Sequence, residues 1–416
     1  MVRSWNTDRV ASMTRAASSI FAAQGVSLRG LLLSLVLLTL LSIVQPARAQ
    51  MGAIRAMGGM ATPSVNARQL KQYGEILGLS PEQKKAAEEL LASYEAEFLA
   101  SVTRLTELQK SMQDEFAQTG DLSVIQDVMG DAMKKFRKKI DKVDRGLIDD
   151  LKSLLTDSQR ELWPLVERVH RRKTTINWGS LSGESVDLVD IAQGLRLDAA
   201  QMANLKEVLD QYASDLDREL VGRNKIVEEQ VATWLEGMMN PDMEKIQSQA
   251  KELRDASVRI LEINKRFARQ IEGQLPLEAQ IEFKDRVKQS SFPSIYRKSY
   301  ALRTIEAADK LEGLDPAAKE GVKNLKEQYL REVVSANDGW AAAISEHELS
   351  QDGMQAMAMQ FGRQMPEDIK KAKEVRDALD EKTVEAVKAL LTDEQKASLP
   401  DKKFRPEFDF DAPAAK

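Results

Sequence analysis

The stretch Leu155-Thr156-Asp157-Ser158-Gln159 (LTDSQ) returns almost letter for letter as Leu391-Thr392-Asp393-Glu394-Gln395 (LTDEQ), 236 positions later. Halfway between them, Gln274 to Gln280 (QLPLEAQ) is a degraded third copy. A second word keeps the same spacing: LSPEQ at Leu79, LDAAQ at Leu197 and LDPAA at Leu314 lie 118 and then 117 positions apart. Each of those leucines is followed, fifteen positions on, by a tyrosine: Tyr94, Tyr212 and Tyr329. Self-similarity at a fixed period marks a structural unit used several times. The chain reads as three tandem units of about 118 residues, with Trp178 and Tyr296 at the junctions again 118 apart.

The repeated words have a physical meaning as helix starts. In Thr156-Asp157-Ser158-Gln159 and Thr392-Asp393-Glu394-Gln395 the threonine oxygen can accept the amide three residues on, while Gln159 or Gln395 reaches back to the cap residue. Leu155 and Leu391 precede the caps. Ser80-Pro81-Glu82-Gln83 is the same device with proline at the first helical position, where its missing amide costs nothing. Asp198 and Asp315 can cap as well. The words therefore mark where helices begin and need not touch a ligand.

Between the words the apolar period is helical. Leu91, Tyr94, Phe98, Leu105, Leu108 and Met112 keep a three-four spacing with one gap at Ser101, and Met129, Phe136, Ile140, Val143, Leu147, Leu151 and Leu154 return in the same rhythm. Val322, Leu325, Tyr329, Val333, Ala336, Trp340 and Ile344 repeat it in the last unit. Such stripes pack as antiparallel pairs, reversing at Gly120-Asp121 in the first unit and near Met365-Pro366 in the third. A helix from Pro81 to Ala117 would be on the order of 55 Å long. β-branched alternation is missing, so the expected fold is all-α: long antiparallel hairpins flanked by shorter helices. Pro164, eight residues into the helix capped by Thr156, should kink or end it. The expected organisation is a signal peptide over 1–49, an N-terminal segment over 50–65, helical units over 66–173, 186–290 and 301–399, linkers over 174–185 and 291–300, and a disordered tail over 400–416.

The N-terminus carries Arg3, Arg9, Arg15 and Arg29 ahead of an apolar run from Leu31 to Val44 and then Pro46-Ala47-Arg48-Ala49-Gln50. That run is shorter than the roughly 20 residues a bilayer span needs and ends in an A-x-A-like cleavage site. We expect a periplasmic or otherwise exported chain cut after Ala49, with no stable membrane insertion afterwards. The remainder holds 55 Lys plus Arg against 64 Asp plus Glu, a net charge near −9. That argues against a general affinity for nucleic acid or anionic lipid. With no cysteine and only His170 and His347, disulfides, thiolate chemistry, most zinc sites and most nucleophilic triads are hard to build. No phosphate loop, HExxH or Ser/His/Asp spacing is present, so neither an enzyme nor a cofactor nor a metal site is expected.

The Leu-Thr-x-x-Gln words at Leu155 and Leu391, joined to an export signal, two motif positions per unit and long helices between them, resemble the Spy/CpxP (LTxxQ-motif) family of periplasmic helical proteins. The likeness covers most of the exported chain, unit by unit. It implies cradle-shaped helical assemblies that bind unfolding proteins without ATP, or that sense envelope stress or metals. Members typically carry one such unit and form homodimers. Here three units are fused, the middle word has lost its Leu-Thr pair, and the third start word lacks its glutamine.

The leading expectation is an ATP-independent holdase or envelope-stress protein whose partners are unfolded clients. Its surface should mix apolar grip with charge, and 30% of the residues are charged, interleaved in sign. Met354, Met357, Met359 and Met365 are soft side chains suited to promiscuous contact, or core filling near a turn. The alternative is a structural scaffold of the cell envelope, to which Phe404, Phe408 and Phe410 in the acidic tail could dock a partner. A third is a metal-responsive sensor, with Met51, Met57 and Met60 or Met357 and Met359 holding Cu(I) through thioethers. The basic runs Lys134 to Lys139 and Arg168 to Lys173 are candidate anion sites or ordinary helix faces. Tyr94, Tyr212 and Tyr329 sit on the apolar stripe, which points to packing or contact between units. A client-facing aromatic row is the sharper alternative.

Overall fold

The computed structural model describes residues 62–119, 122–236, 242–351 and 365–402. The export signal, Met51, Met57, Met60, Met354, Met357 and Met359, the reversal at Gly120-Asp121 and the three tail phenylalanines lie outside these residues. The protein is all-α, with no strand among the described residues. None of its described helices is long and apolar enough to cross a membrane.

Three long helix pairs dominate. Helix α1 (Ala67–Leu77) leads into α2 (Pro81–Thr119), which pairs with α3 (Leu122–Ser153) and is followed by α4 (Asp157–Glu161) and α5 (Trp163–Thr175). After a 3₁₀ turn (Ile176–Trp178), α6 (Leu188–Gln193) precedes the second pair, α7 (Ala199–Glu236) and α8 (Met243–Gln274), closed by α9 (Leu277–Ser291) and α10 (Pro293–Tyr296). Then α11 (Tyr300–Asp309) packs on the third pair, α12 (Pro316–Ser350) and α13 (Glu367–Ala389), which ends at α14 (Asp393–Ala397). Each pair runs antiparallel: Gln83, Tyr94 and Glu97 along α2 meet Leu154, Asp144 and Lys139 in descending order.

Sequence sets the ends of these helices. Thr156, Thr392 and Asn66 close reciprocal capping boxes with Gln159, Gln395 and Gln69. Gly78 and Gly313, immediately before the start words, adopt left-handed φ of 61° and 73°, a conformation in which a Cβ is strained. Pro164 acts as the sequence implies. The helix capped by Thr156 stops at Glu161, and α5 begins at Trp163 with the proline in its first turn, where no amide is missed. The stripe gap at Ser101 is buried too, its hydroxyl donating to the Glu97 carbonyl at 2.9 Å.

The described residues divide into two compact units, one ending at Val166 and the other beginning at Glu167. That boundary falls inside α5 and not in the stretch 174–185 or 291–300. The reason is polar chemistry around the Gly/Ser-rich loop 179–184. Glu184 and Arg223 are both 0% exposed and pair at 2.9 Å. Glu184 also accepts the amides of Ser180 at 2.8 Å and Leu181 at 3.2 Å. Arg223 donates to the Thr175 carbonyl, and Asn264 on α8 donates to the carbonyls of Gly183 and Glu184, each at 2.9 Å. A Cβ at Gly179 would stand 2.5 Å from the Glu184 carboxyl carbon, and Gly183 has φ +86° with a Cβ position 3.1 Å from Leu261. These glycines are required by close approach; they are not slack.

The same loop holds the third helix pair. The Ser182 amide and hydroxyl donate to Glu348 on α12 at 2.8 and 2.9 Å. Arg254 on α8 donates to the carbonyls of Glu348, at 2.5 Å, and Gln351, at 3.3 Å, satisfying carbonyls that a helix end leaves open. Lys288 and Tyr296 both bond Asp338, at 2.7 and 2.5 Å. Burial works against the Asp338 charge, but these bonds overcome it and hold its carboxyl below the usual range. Trp178, in register with Tyr296 by sequence, is 43% exposed and has no such role.

Breaking the buried pair should be costly, because an isolated buried charge is left behind. Glu184→Ala is expected to lower unfolding stability by about 3–5 kcal/mol. Adding Arg223→Met should recover part of that loss. Chemical denaturation of the two variants measures both effects.

Candidate functional site: a glutamine clasp and three tyrosine knots

In the first hairpin the two repeated words meet. Ser80 and Gln83 bond reciprocally, Gln83 amide to Ser80 hydroxyl at 3.2 Å and Ser80 amide to Gln83 carbonyl oxygen at 3.0 Å. Thr156 and Gln159 do the same at 3.4 and 3.0 Å. The glutamine amides then reach across: Gln83 Nε2 donates to Gln159 Oε1 and to the Leu154 carbonyl, both at 2.8 Å, and Gln159 Nε2 is 3.4 Å from the Gly78 carbonyl. One glutamine from each end of the hairpin thus closes its base. Leu155 is buried beside Trp163, Leu79 and Tyr73, around a small apolar gap.

The other two copies lack this clasp. In the second, Asp198 and Gln201 cap α7 reciprocally at 2.8 and 2.9 Å. Pro276 stands at the cap of α9 with no side-chain bond. Gln280, one position late, donates to Leu275 at 2.9 Å. In the third, Thr392 and Gln395 cap α14 at 3.3 and 3.0 Å, Leu391 is buried in the core with Val322 and Val387, and the start helix offers Asp315 alone.

What all three copies share is centred on the tyrosines. Tyr94 donates to Asp144 at 2.7 Å and accepts the Ser64 amide at 2.8 Å. The Tyr212 hydroxyl lies 3.0 Å from both Val186 O and Asn264 Oδ1, which share its one proton, and accepts the Leu188 amide at 3.4 Å. Tyr329 bonds Ser299 and Asp380, both at 2.7 Å, and accepts from Arg376 at 2.9 Å. Each hydroxyl ties the entry of the short leading helix, the outgoing long helix and the returning long helix. Burial pushes the Tyr94 and Tyr329 phenols up to about 12 and raises Tyr212 further still; all three are neutral donors.

The rings lie inside the hairpins, at 4%, 0% and 2% exposure. This corrects the reading of a client-facing aromatic row, since no surface of these rings is open to a client. Packing carries them instead, Tyr212 edge-on to Phe267 at 5.5 Å and Tyr94 beside Phe98 at 6.1 Å.

The basic run Arg168 to Lys173 is largely spent internally: Arg171 pairs with Asp217 at 2.7 Å, Arg172 with Asp187 at 3.0 Å, and Lys173 with Asp187 at 3.2 Å and with Asp190. In the run Lys134 to Lys139, Lys139 pairs with Glu97 at 3.2 Å. Among the described residues no group of three His, Cys, Asp or Glu side chains could hold a metal ion.

Sequence reading missed the partners of the tyrosines. Asp144, Asn264 and Asp380 recur 120 and 116 positions apart, in step with Leu155, Leu275 and Leu391, so a search of the returning helices at the same offset would have found them. Arg376, bound to Asn337 at 2.6 Å and to Asp380, has no counterpart in that register and leaves no such signal. Comparison of the chain with family models, with curated proteins and with solved structures finds no match.

The clasp glutamines share one set of bonds, so their effects should overlap. Gln83→Ala and Gln159→Ala should each cost about 1 kcal/mol, and the double variant less than the sum, as read from denaturant midpoints. Tyr212→Phe, which leaves Asn264 and the Val186 carbonyl short of a donor, should cost about 1–3 kcal/mol on the same measurement.

Proposed function

We propose that the chain is an exported, ATP-independent holdase of Spy/CpxP type, which grips unfolding proteins weakly on the flanks of its helix pairs. The observation that carries this reading is the composition of those flanks. Large aliphatic side chains stand out singly among charges of both signs: Leu99 at 65%, Val334 at 53% and Val375 at 64% exposure. Leu99 and Val334 each follow a repeated tyrosine by five positions. In the second copy that position is Asp217, held by Arg171.

Dispersed apolar contacts with charges between them favour many brief attachments over one tight one, which is what a client that must still fold requires. The buried tyrosine knots support the reading indirectly. They fix each pair from within, so that exposed side chains such as Leu99, Val334 and Val375 are not needed to hold it.

A second reading, a rigid envelope scaffold, is favoured by the bonds that fix the second and third pairs through Ser182, Glu348 and Arg254. A spacer needs fixed geometry, and a holdase does not.

Light scattering of an unrelated client unfolding with heat, without ATP or metal, separates the two. The holdase reading expects suppression at near-equimolar ratio. It also expects the triple variant Leu99→Ser, Val334→Ser, Val375→Ser to lose most of it while melting within a few degrees of the parent, since exposed substitutions cost little. Absence of suppression across several clients, with stable capture of one folded partner, would establish the scaffold.

A further inference from the structure

The three tyrosine knots are built alike except for the group that receives the tyrosine on the returning helix. In the second it is Asn264, which carries no charge. In the third it is Asp380, paired with Arg376. In the first it is Asp144, which has no cation within ion-pair distance among the described residues. The groups that face it are Ser64 from the N-terminal segment, Tyr94 from α2, and Asp141 on its own helix. Tyr73 on α1 couples to Tyr94. Glu97 on α2 and Lys139 on α3 are engaged with each other at 3.2 Å. An ionised carboxylate so placed has hydroxyl donors but no counter-charge, and it has lost part of its water.

We propose that the Ser64–Tyr94–Asp144 knot is a proton-operated latch, in which one proton on Asp144 keeps residues 64–77 closed against the first hairpin and its loss slackens them, while the other two knots lack this response. The neutral carboxyl still accepts from Tyr94 through its carbonyl oxygen, so protonation costs the knot no bond. Ionisation gives the group a reason to recover water, and the way to do so is to part from the N-terminal segment.

The direction follows from linkage. Burial, with Asp141 adding to it and the hydroxyls of Tyr94 and Ser64 opposing, raises the Asp144 carboxyl above its ordinary value of 3.8. The folded hairpin therefore binds a proton more tightly than the unfolded chain. Its stabilisation is complete below the ordinary aspartate value and is lost as pH rises through the raised one. Acidification tightens the latch, opposite to the usual behaviour of a salt-bridged aspartate.

Hydrogen exchange of the full chain at pH 3.8 and pH 7.5, corrected for the intrinsic pH dependence of exchange, tests the latch. Peptides covering 62–78 should gain several-fold protection at pH 3.8, while those covering 186–197, the same element in the second copy, should not. Asp144→Asn, which installs the chemistry of Asn264, should abolish the difference and protect 62–78 at both pH values. Parallel changes in both segments, loss of protection of 62–78 on acidification, or an unchanged pH response in a folded Asp144→Asn protein would each overturn the proposal. If that variant does not fold, the comparison of the two segments within the parent chain decides the matter by itself.

Discussion

A phenol hydroxyl can give one hydrogen bond and receive others while its ring fills apolar space, and the described architecture depends on that double capacity. Two long amphipathic helices can slide past one another by a turn at little apolar cost, since their stripes repeat. The hydroxyls of Tyr94, Tyr212 and Tyr329 remove that freedom. Each meets a specific oxygen on the returning helix and a backbone or side-chain group at the start of the short leading helix. Register, helix pairing and the seating of the leading helix are thereby set at one point. Because the bonds are buried, a slipped alternative would strand polar groups away from water.

Charge is handled in two different ways. On the outer faces, pairs such as Lys206 with Asp210 lie one helical turn apart and well exposed, where they contribute little. Inside, the few charges are held by several partners at once: Arg223 by Glu184 and the Thr175 carbonyl, Arg376 by Asp380, Asn337 and Tyr329. Such groups add specificity more than net stability. The second and third helix pairs are held in one compact unit by other bonds, those of Ser182 and Arg254 at the end of α12 and of Lys288 to Asp338. Burial raises the Glu348 carboxyl even with Ser182 and Arg254 beside it, so that contact too carries some electrostatic cost.

Much of this is legible in the sequence. The three-four stripes gave the long helices, because an amphipathic face has no other economical arrangement, and the capping words gave their starts, because cap chemistry is local. Pro164 announced the break between α4 and α5. What could not be read was what lies far apart in sequence and close in space. Gln83 and Gln159 each look like a cap residue only, and nothing local says that their amides also meet. Asp144 looks like one acid among many on a charged helix. The tyrosines were singled out by their spacing, yet spacing is silent on which way a ring faces, and burial decided that. Leu-Thr-x-x-Gln, read as a family word, resolves physically into a cap whose glutamine has a second use in one of its two occurrences.

Composition misleads most at loop 179–184. A run of glycine and serine suggests a place where duplicated units were joined and could be joined again. Here Gly179 makes room for the Glu184 carboxylate, Gly183 turns the backbone against Leu261, and Ser182 holds Glu348. A recombination event at this point would bring together halves that had never adapted to each other, and the mismatch would fall in the interior. The loop is one of the least interchangeable parts of the chain, and a unit could be exchanged only at breakpoints that keep this loop with both α8 and α12.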